Sequence, residues 1–409
     1  MNSNLRHILP AYFTLMVWNA IYTVSIAGPV LPLYVKSLGV DVIGWSMLAA
    51  ASSLGMFLLE WVWGSLSDRI DRRLLMIISV LSMGALFPLY TIHAFIPYFI
   101  ALQLISGAVV VIIGPATRSY VSDESPEKSM GLYASPWWAF HTLGRAIGPL
   151  LGAYIAQVWS FEYSFYASAA LSIVLAFIIL VTFPGDKGRQ GTDSQKSIVD
   201  NLRSVLNRRS APYLFLSTMF AFMGVSAIRS FLPIYASGQV KMSTVDVGVL
   251  LSSFSGAQLV SMPLLGLLSD KFGRKRTAIL GFILSACFFV LYFLASTSSE
   301  LLMISIAVGV GLAGTSILLA MIPDVTPNTM HGTGVGIYGS FEDLGIIIGP
   351  LLFGFVWSIY GPVFIFAAAA VTQILGALLV LAINRNDHDS KHEQDGQTLL
   401  FQHARNNNP

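Results

Sequence analysis

Twelve apolar runs, each long enough to cross a bilayer as a helix, occupy most of this chain, and no other feature restricts its fold as severely. They fall near 8–35, 43–66, 74–92, 95–118, 131–156, 162–183, 211–236, 244–268, 277–296, 300–322, 333–357 and 362–383. A spanning helix needs about 20 apolar residues. Inside lipid every backbone N–H and C=O must be bonded within the segment itself, so open sheets and exposed loops are excluded. The chain therefore reads as an all-α polytopic membrane protein. Composition agrees, because charged residues make up 11% and hydrophobic ones 55%, with a mean hydropathy of +0.70. A water-soluble surface needs about 25% charge.

The runs divide six and six. Between them, residues 184–210 hold Asp186, Lys187, Arg189, Lys196, Arg203, Arg208 and Arg209 among Gly, Ser and Gln, a composition that belongs in water. The expected organisation is an N-terminal six-helix bundle over 1–183, a cytoplasmic linker over 184–210, a C-terminal six-helix bundle over 211–383 and a polar, disordered cytoplasmic tail over 384–409. The short polar start leads into an apolar stretch too long for a signal-peptide core, so it is read as the first span. Cys287 is the single cysteine and cannot form an intrachain disulfide.

Lysine and arginine set the sidedness. With the N-terminus inside, the cytoplasmic segments hold 18 of the 23, the outer loops hold Lys36 and Lys241, and the spans hold Arg118, Arg145 and Arg229. Both termini are thus expected on the cytoplasmic side of the cell membrane. The net charge of +2 gives no sign of a nucleic-acid binder.

The two halves repeat one another. At an offset of 201, Leu31, Pro32 and Tyr34 recur as Leu232, Pro233 and Tyr235, and Gly144, Gly148 and Pro149 recur as Gly345, Gly349 and Pro350. At 202, Gly64, Leu66, Ser67, Asp68 and Arg72 recur as Gly266, Leu268, Ser269, Asp270 and Arg274. An even number of spans per half makes the repeats parallel, related by an axis along the membrane normal. Two similar bundles facing one another across a cleft is the expected architecture.

The loops at Gly64–Arg73 and Gly266–Lys275 resemble the two copies of the signature loop of the major facilitator superfamily, Gly-x-Leu-Ser/Ala-Asp-Arg-x-Gly-Arg-Arg/Lys. The resemblance extends over nearly the whole chain through the six-plus-six topology. It implies that Asp68 latches the bundles near Gly332, and that Gly64, Asp68, Arg72, Gly266, Asp270 and Arg274 form gating loops. The first copy departs from the pattern at Asp71, which replaces the turn glycine; Asp tolerates a left-handed conformation better than most residues. Span 5 carries Gly144, Gly148, Pro149 and Gly152, a smooth stripe for close helix approach. It is similar to the Gly-x-x-x-Gly-Pro-x-x-Gly element of the family's proton-coupled drug antiporters. Gln103 stands in span 4 where those exporters often have Arg, and the first span lacks an acid.

Ionisable groups inside the spans are expensive and are functional candidates by default. They are Glu60, Arg118, His141, Arg145, Arg229, Glu342 and Asp343. Under the 201 offset His141 maps onto Glu342, and His141 and Arg145 share a helix face at i, i+4. Adjacent Glu342 and Asp343 cannot easily both ionise in a low dielectric, which suits a proton carrier. Glu342, Asp343, His141 and Glu60 are the proton-coupling candidates. Asn19, Tyr22, Arg118, Arg145, Arg229, Trp138, Tyr235 and Phe341 are the candidates to line a substrate cavity.

No phosphate loop, metal-ligand cluster or nucleophile elbow is present, so an enzyme, a metal and a cofactor are not expected. The expected function is secondary transport: proton-coupled efflux of an amphipathic organic compound by a monomer in the lipid bilayer. An importer of a sugar, organic acid or other nutrient on the same fold is the alternative, and a transport-dead sensor is a third.

Overall fold

The chain satisfies its backbone locally, as lipid requires. The computed structural model describes residues 3–67, 70–124, 130–183, 203–326 and 330–383, and no strand occurs among them. The first half contains α1 (Ser3–Ser25), α2 (Val30–Ser37), α3 (Val42–Ser67), α4 (Arg72–Leu89), α5 (Ile96–Val110), α6 (Ile113–Glu124), α7 (Met130–Val158) and α8 (Phe161–Thr182). The second contains α9 (Ala211–Ser226), a π-helical turn (Ala227–Phe231), α10 (Leu232–Gln239), α11 (Thr244–Phe272), α12 (Arg274–Leu291), α13 (Ser298–Leu312), α14 (Thr315–Ala320), α15 (Ile322–Val325), α16 (His331–Tyr360) and α17 (Phe364–Ala382).

Taken with their short continuations, ten of these segments are long and apolar enough to cross a membrane. The two remaining long helices complete six crossings per half: α7, which carries His141 and Arg145, and α12, which opens on Arg274, Lys275 and Arg276. Leu264, Leu267, Ile173, Phe177, Val181 and Leu378 point outward and exposed, as lipid-facing residues should.

Irregularities repeat along with the sequence. The first crossing breaks between α1 and α2, where the amides of Ile26 and Ala27 both donate to the Tyr22 carbonyl, at 2.9 and 3.1 Å. Its counterpart in the second half is the π-helical turn, closed by the Leu232 amide on the Ala227 carbonyl. The fourth crossing breaks at 111–112 and its mate at 313–314.

α1 lies along α7, and α9 lies along α16, because glycines clear the way. A Cβ on Gly144, Gly148 or Gly152 would strike the Met16, Ala20 or Val24 carbonyl of α1; one on Gly345 or Gly349 would strike Met219 or Ser226 of α9. Between the halves, α7 packs on α11 and α3 on α16.

The two ends of the molecule differ. At the end remote from the linker, one continuous core runs from Val30, Leu31 and Trp45 into Ile228, Phe231 and Leu232 of the other half. There the Lys36 ammonium donates to Ser237 Oγ at 2.9 Å and to the Ile234 carbonyl at 3.3 Å. The Trp45 indole donates to the Ser230 carbonyl at 2.8 Å, and the Val245 amide to Gln157 Oε1 at 2.8 Å. At the linker end the second half keeps a separate core, with Val205, Leu265, Phe282, Ile322 and Val380.

The two signature loops differ in backbone. Gly273 turns the second one at φ +91°, a conformation that favours glycine. Asp71 does not take the left-handed conformation considered for it: φ is −51° and ψ is 119°. It caps α4 instead, its carboxylate accepting from the Arg73 amide at 2.8 Å. Arg72 reaches the Ser119 carbonyl at 3.3 Å, while its counterpart Arg274 pairs with Asp324 at 2.8 Å. Gly64 lies in α3 and Gly266 in α11, and Asp270 is exposed at the end of α11. The latch expected of Asp68 lies outside the described residues, as do most of the linker (184–202) and the tail (384–409).

Candidate transport site

The ionisable residues of the spans converge on the face between the halves. From the first half come Glu60 on α3, Arg118 on α6, and His141 and Arg145 on α7; from the second come Arg229 on the π-turn and Glu342 and Asp343 on α16. Arg118, Arg145 and Arg229 all lie within electrostatic reach of Glu342. Glu60 crosses from α3 to α16, where a Cβ on Gly339 would stand 3.8 Å from its Oε2, and its carboxyl lies against that of Asp343. Asp343 is buried, and its Oδ2 has no hydrogen-bond partner among the described residues. Such an orphaned carboxyl oxygen is tolerable when a proton can occupy the site.

An aromatic bracket holds the linker side of the cluster. The His141 ring stacks on Trp137 at 5.6 Å and 11°, with Trp138 edge-on at 5.5 Å. The Arg118 guanidinium sits 4.6 Å from the Trp137 centroid and 5.9 Å from that of Trp138. The Trp137 indole is fixed by donating to Thr117 Oγ1 at 3.2 Å.

Deeper in, Arg145 and Arg229 line one cleft with Thr23, Ser255, Leu251 and Phe254. The cleft lies beside the broken first crossing and beside the π-turn. Matching interruptions in corresponding helices of two repeats are where transporters form their binding sites. Arg145 Nε donates to Asn19 Oδ1 at 3.3 Å, and Asn19 is itself tied to the Leu15 carbonyl at 2.9 Å. Tyr22 lies nearby, its hydroxyl 3.4 Å from Ser52 Oγ.

Two of the residues expected at a cavity are placed elsewhere. Tyr235 packs edge-on against Phe366 at 5.0 Å within the second bundle, and Phe341 stacks on Phe215 at 5.8 Å. Gln103 accepts from the Tyr90 hydroxyl at 3.1 Å inside the first bundle. Conversely, Ser255, Leu251 and Phe254 line the cleft without carrying any sequence signal of their own. The signal that points to them is the Gly28-Pro29 break in the first span, since α11 packs against α7 beside it. Among the described residues no cluster of His, Cys, Asp or Glu could hold a metal ion.

Two six-helix bundles with a charged cleft between them, joined at one end and with separate cores at the other, define a multi-pass membrane transporter. The chain belongs to the Major Facilitator Superfamily, whose sequence profile matches residues 13–212 and 214–408. Among curated proteins it is 29% identical over 376 residues to the multidrug resistance protein MdtG of Yersinia enterocolitica, covering 87% of each chain. It is 26% identical over 374 residues to the protein of the same name from Proteus mirabilis, covering 85% of this chain and 89% of that one. Among solved structures it resembles a bacterial homologue of the human lysosomal transporter Spinster in an inward-facing, occupied conformation. The TM-score is 0.76 at 14% identity, over 94% of this chain and 97% of that one. A POT family transporter in complex with 5-aminolevulinic acid gives 0.77 at 12% identity, over 93% and 96%.

Proposed function

We propose that the chain is a proton-coupled exporter of an amphipathic organic compound, working by alternating access. The observation that carries this reading is the apposition of Glu60 and Asp343 across the bundle interface, with Glu342 beside them within reach of three arginines. Acids facing one another from two bodies that move apart exchange their surroundings when the bodies rock, so protonation and conformation are linked. The multidrug resistance names of the relatives favour outward transport and a drug-like cargo.

In this reading residues 1–183 and 211–383 rock against one another about the end closed by Lys36 and Trp45. The linker and both termini are cytoplasmic in this reading. Glu342 or Asp343 takes the proton, His141 and Arg145 respond to its charge, and the Asp68 and Asp270 loops gate the linker end. A monomer suffices, because the cleft lies within one chain. Deleting the gene should raise sensitivity to amphipathic toxic compounds, with complementation restoring growth. Loss of growth on one nutrient, with unchanged toxicity, would instead assign import.

A further inference from the structure

We infer that the cargo carries an anionic group, and that Arg145 and Arg229 clasp it from opposite bundles in the cleft at the two helix interruptions. The inference rests on the transporter reading and names the substrate class of that site, but it does not depend on the coupling ion.

Each guanidinium is placed by something unusual. Arg229 sits within the π-helical turn Ala227–Phe231, and single π-turns inside α-helices occur mostly at functional sites. Arg145 is held from one side only, through Nε on Asn19. Among the described residues, its terminal nitrogens and the whole Arg229 guanidinium make no hydrogen bond, and neither residue is in an ion pair. Two like charges facing one cleft repel, and arginines buried in a membrane are normally paired. Glu342 lies within reach of both but bonds neither, and Arg118 draws on the same charge.

An anion between the two forks would neutralise the repulsion and satisfy donors whose fixed planar geometry matches a carboxylate or phosphonate. Thr23 and Ser255 add hydroxyls at the same place, while Leu251 and Phe254 supply an apolar wall; the free space among these side chains is about 20 Å³ in this conformation, so the two bundles must part to admit a cargo. The site therefore matches an amphipathic acid: an anionic head on an apolar body. The membrane potential, negative inside, favours the exit of such a cargo. Because the arginines come from different bundles, binding joins the two moving bodies, which is where a cargo must act to influence rocking.

The test uses the full chain in lipid nanodiscs and reads tryptophan-fluorescence melting against matched sets of probes. Octanoate, octanamide and octylammonium form one set; 2-naphthoate, 2-naphthamide and 2-naphthylmethylammonium form another. The expected result is that the carboxylates raise the melting temperature more than their amides or amines. Arg145→Gln and Arg229→Gln should each weaken that binding by about tenfold or more, with Arg229→Lys retaining part of it. The carboxylate readout must be compared only among variants that purify monodisperse, and Arg229→Lys provides one where Arg229→Gln misfolds. Amides or amines stabilising as well as the carboxylates would overturn the inference. So would carboxylate binding unchanged in both glutamine variants, or equal stabilisation by chloride or phosphate alone, which would reveal an inorganic anion site. Carboxylate binding with no flux in liposomes would contradict the transporter reading while leaving the anion site standing.

Discussion

Lys36 and Ser237 are counterparts in the repeat, 201 positions apart, and they touch: the lysine ammonium donates to the serine hydroxyl at 2.9 Å. The contact lies where α2 and α10, also counterparts, meet at the end remote from the linker. A bond between symmetry mates sits on the axis relating the bundles, so it is broken directly when that end opens. Lys36→Met should therefore shift the population toward the state open at that end. The bonds are half-exposed, which limits the shift to about 1 kcal/mol, or about fivefold. Distances between spin labels on the α2–α3 and α10–α11 loops would show a longer component growing in the variant. An unchanged distribution would mean that this lysine does not help close the structure.

Glycine substitutions separate packing from propensity. Gly148→Ala sets a Cβ against the Ala20 carbonyl and Thr23 and should cost about 1–3 kcal/mol, seen as a lower melting temperature. Gly256→Ala, with nothing within 4 Å of the new carbon, should melt at or slightly above the parent temperature. Equal effects at the two positions would contradict the packing of α1 on α7.

The signature loops should respond differently to the same kind of change. Asp71→Ala removes the cap on the Arg73 amide and should cost about 1 kcal/mol, whereas Asp71→Gly should cost a few tenths. Gly273→Ala forces a side chain into φ +91° and should cost about 1 kcal/mol or more. Thermal unfolding of the three variants checks the order.

These loops also show where sequence is legible and where it stops. Spanning lengths, the six-plus-six division and the repeated Gly, Leu, Ser, Asp and Arg are local patterns, and the helices follow them closely. Register within a turn is not local in that sense. Asp in place of Gly fits both a left-handed turn and a helix cap, and only the path of α4 decides between them. Ala227–Phe231 reads as ordinary helix, so the π-turn that carries Arg229 is invisible until its hydrogen bonds are seen. The span residues were identifiable one by one because ionisable groups are rare in lipid. The facing of Glu60 with Asp343 was not, because it depends on how two bundles dock. Tyr235 and Phe341 are aromatic residues on central helices, but aromatic rings pack within a bundle as readily as they line a cleft.

The Glu60 and Asp343 carboxyls should act as a unit. Glu60→Gln and Asp343→Asn combined should depart from the sum of their separate effects on melting temperature by an amount equivalent to about 0.5–3 kcal/mol. Strict additivity would place the two groups too far apart to share a proton.

Flux in proteoliposomes under an imposed pH gradient tests the central claim most directly, with a radiolabelled amphipathic acid such as octanoate followed in the purified protein and in Glu342→Gln with Asp343→Asn. Protein-free liposomes set the passive leak. Protein-dependent flux should rise with the gradient, collapse when a protonophore dissipates it, and lose its gradient dependence in the double variant. Protein-dependent flux that ignores the gradient, or that the double variant leaves unchanged, would contradict the claim.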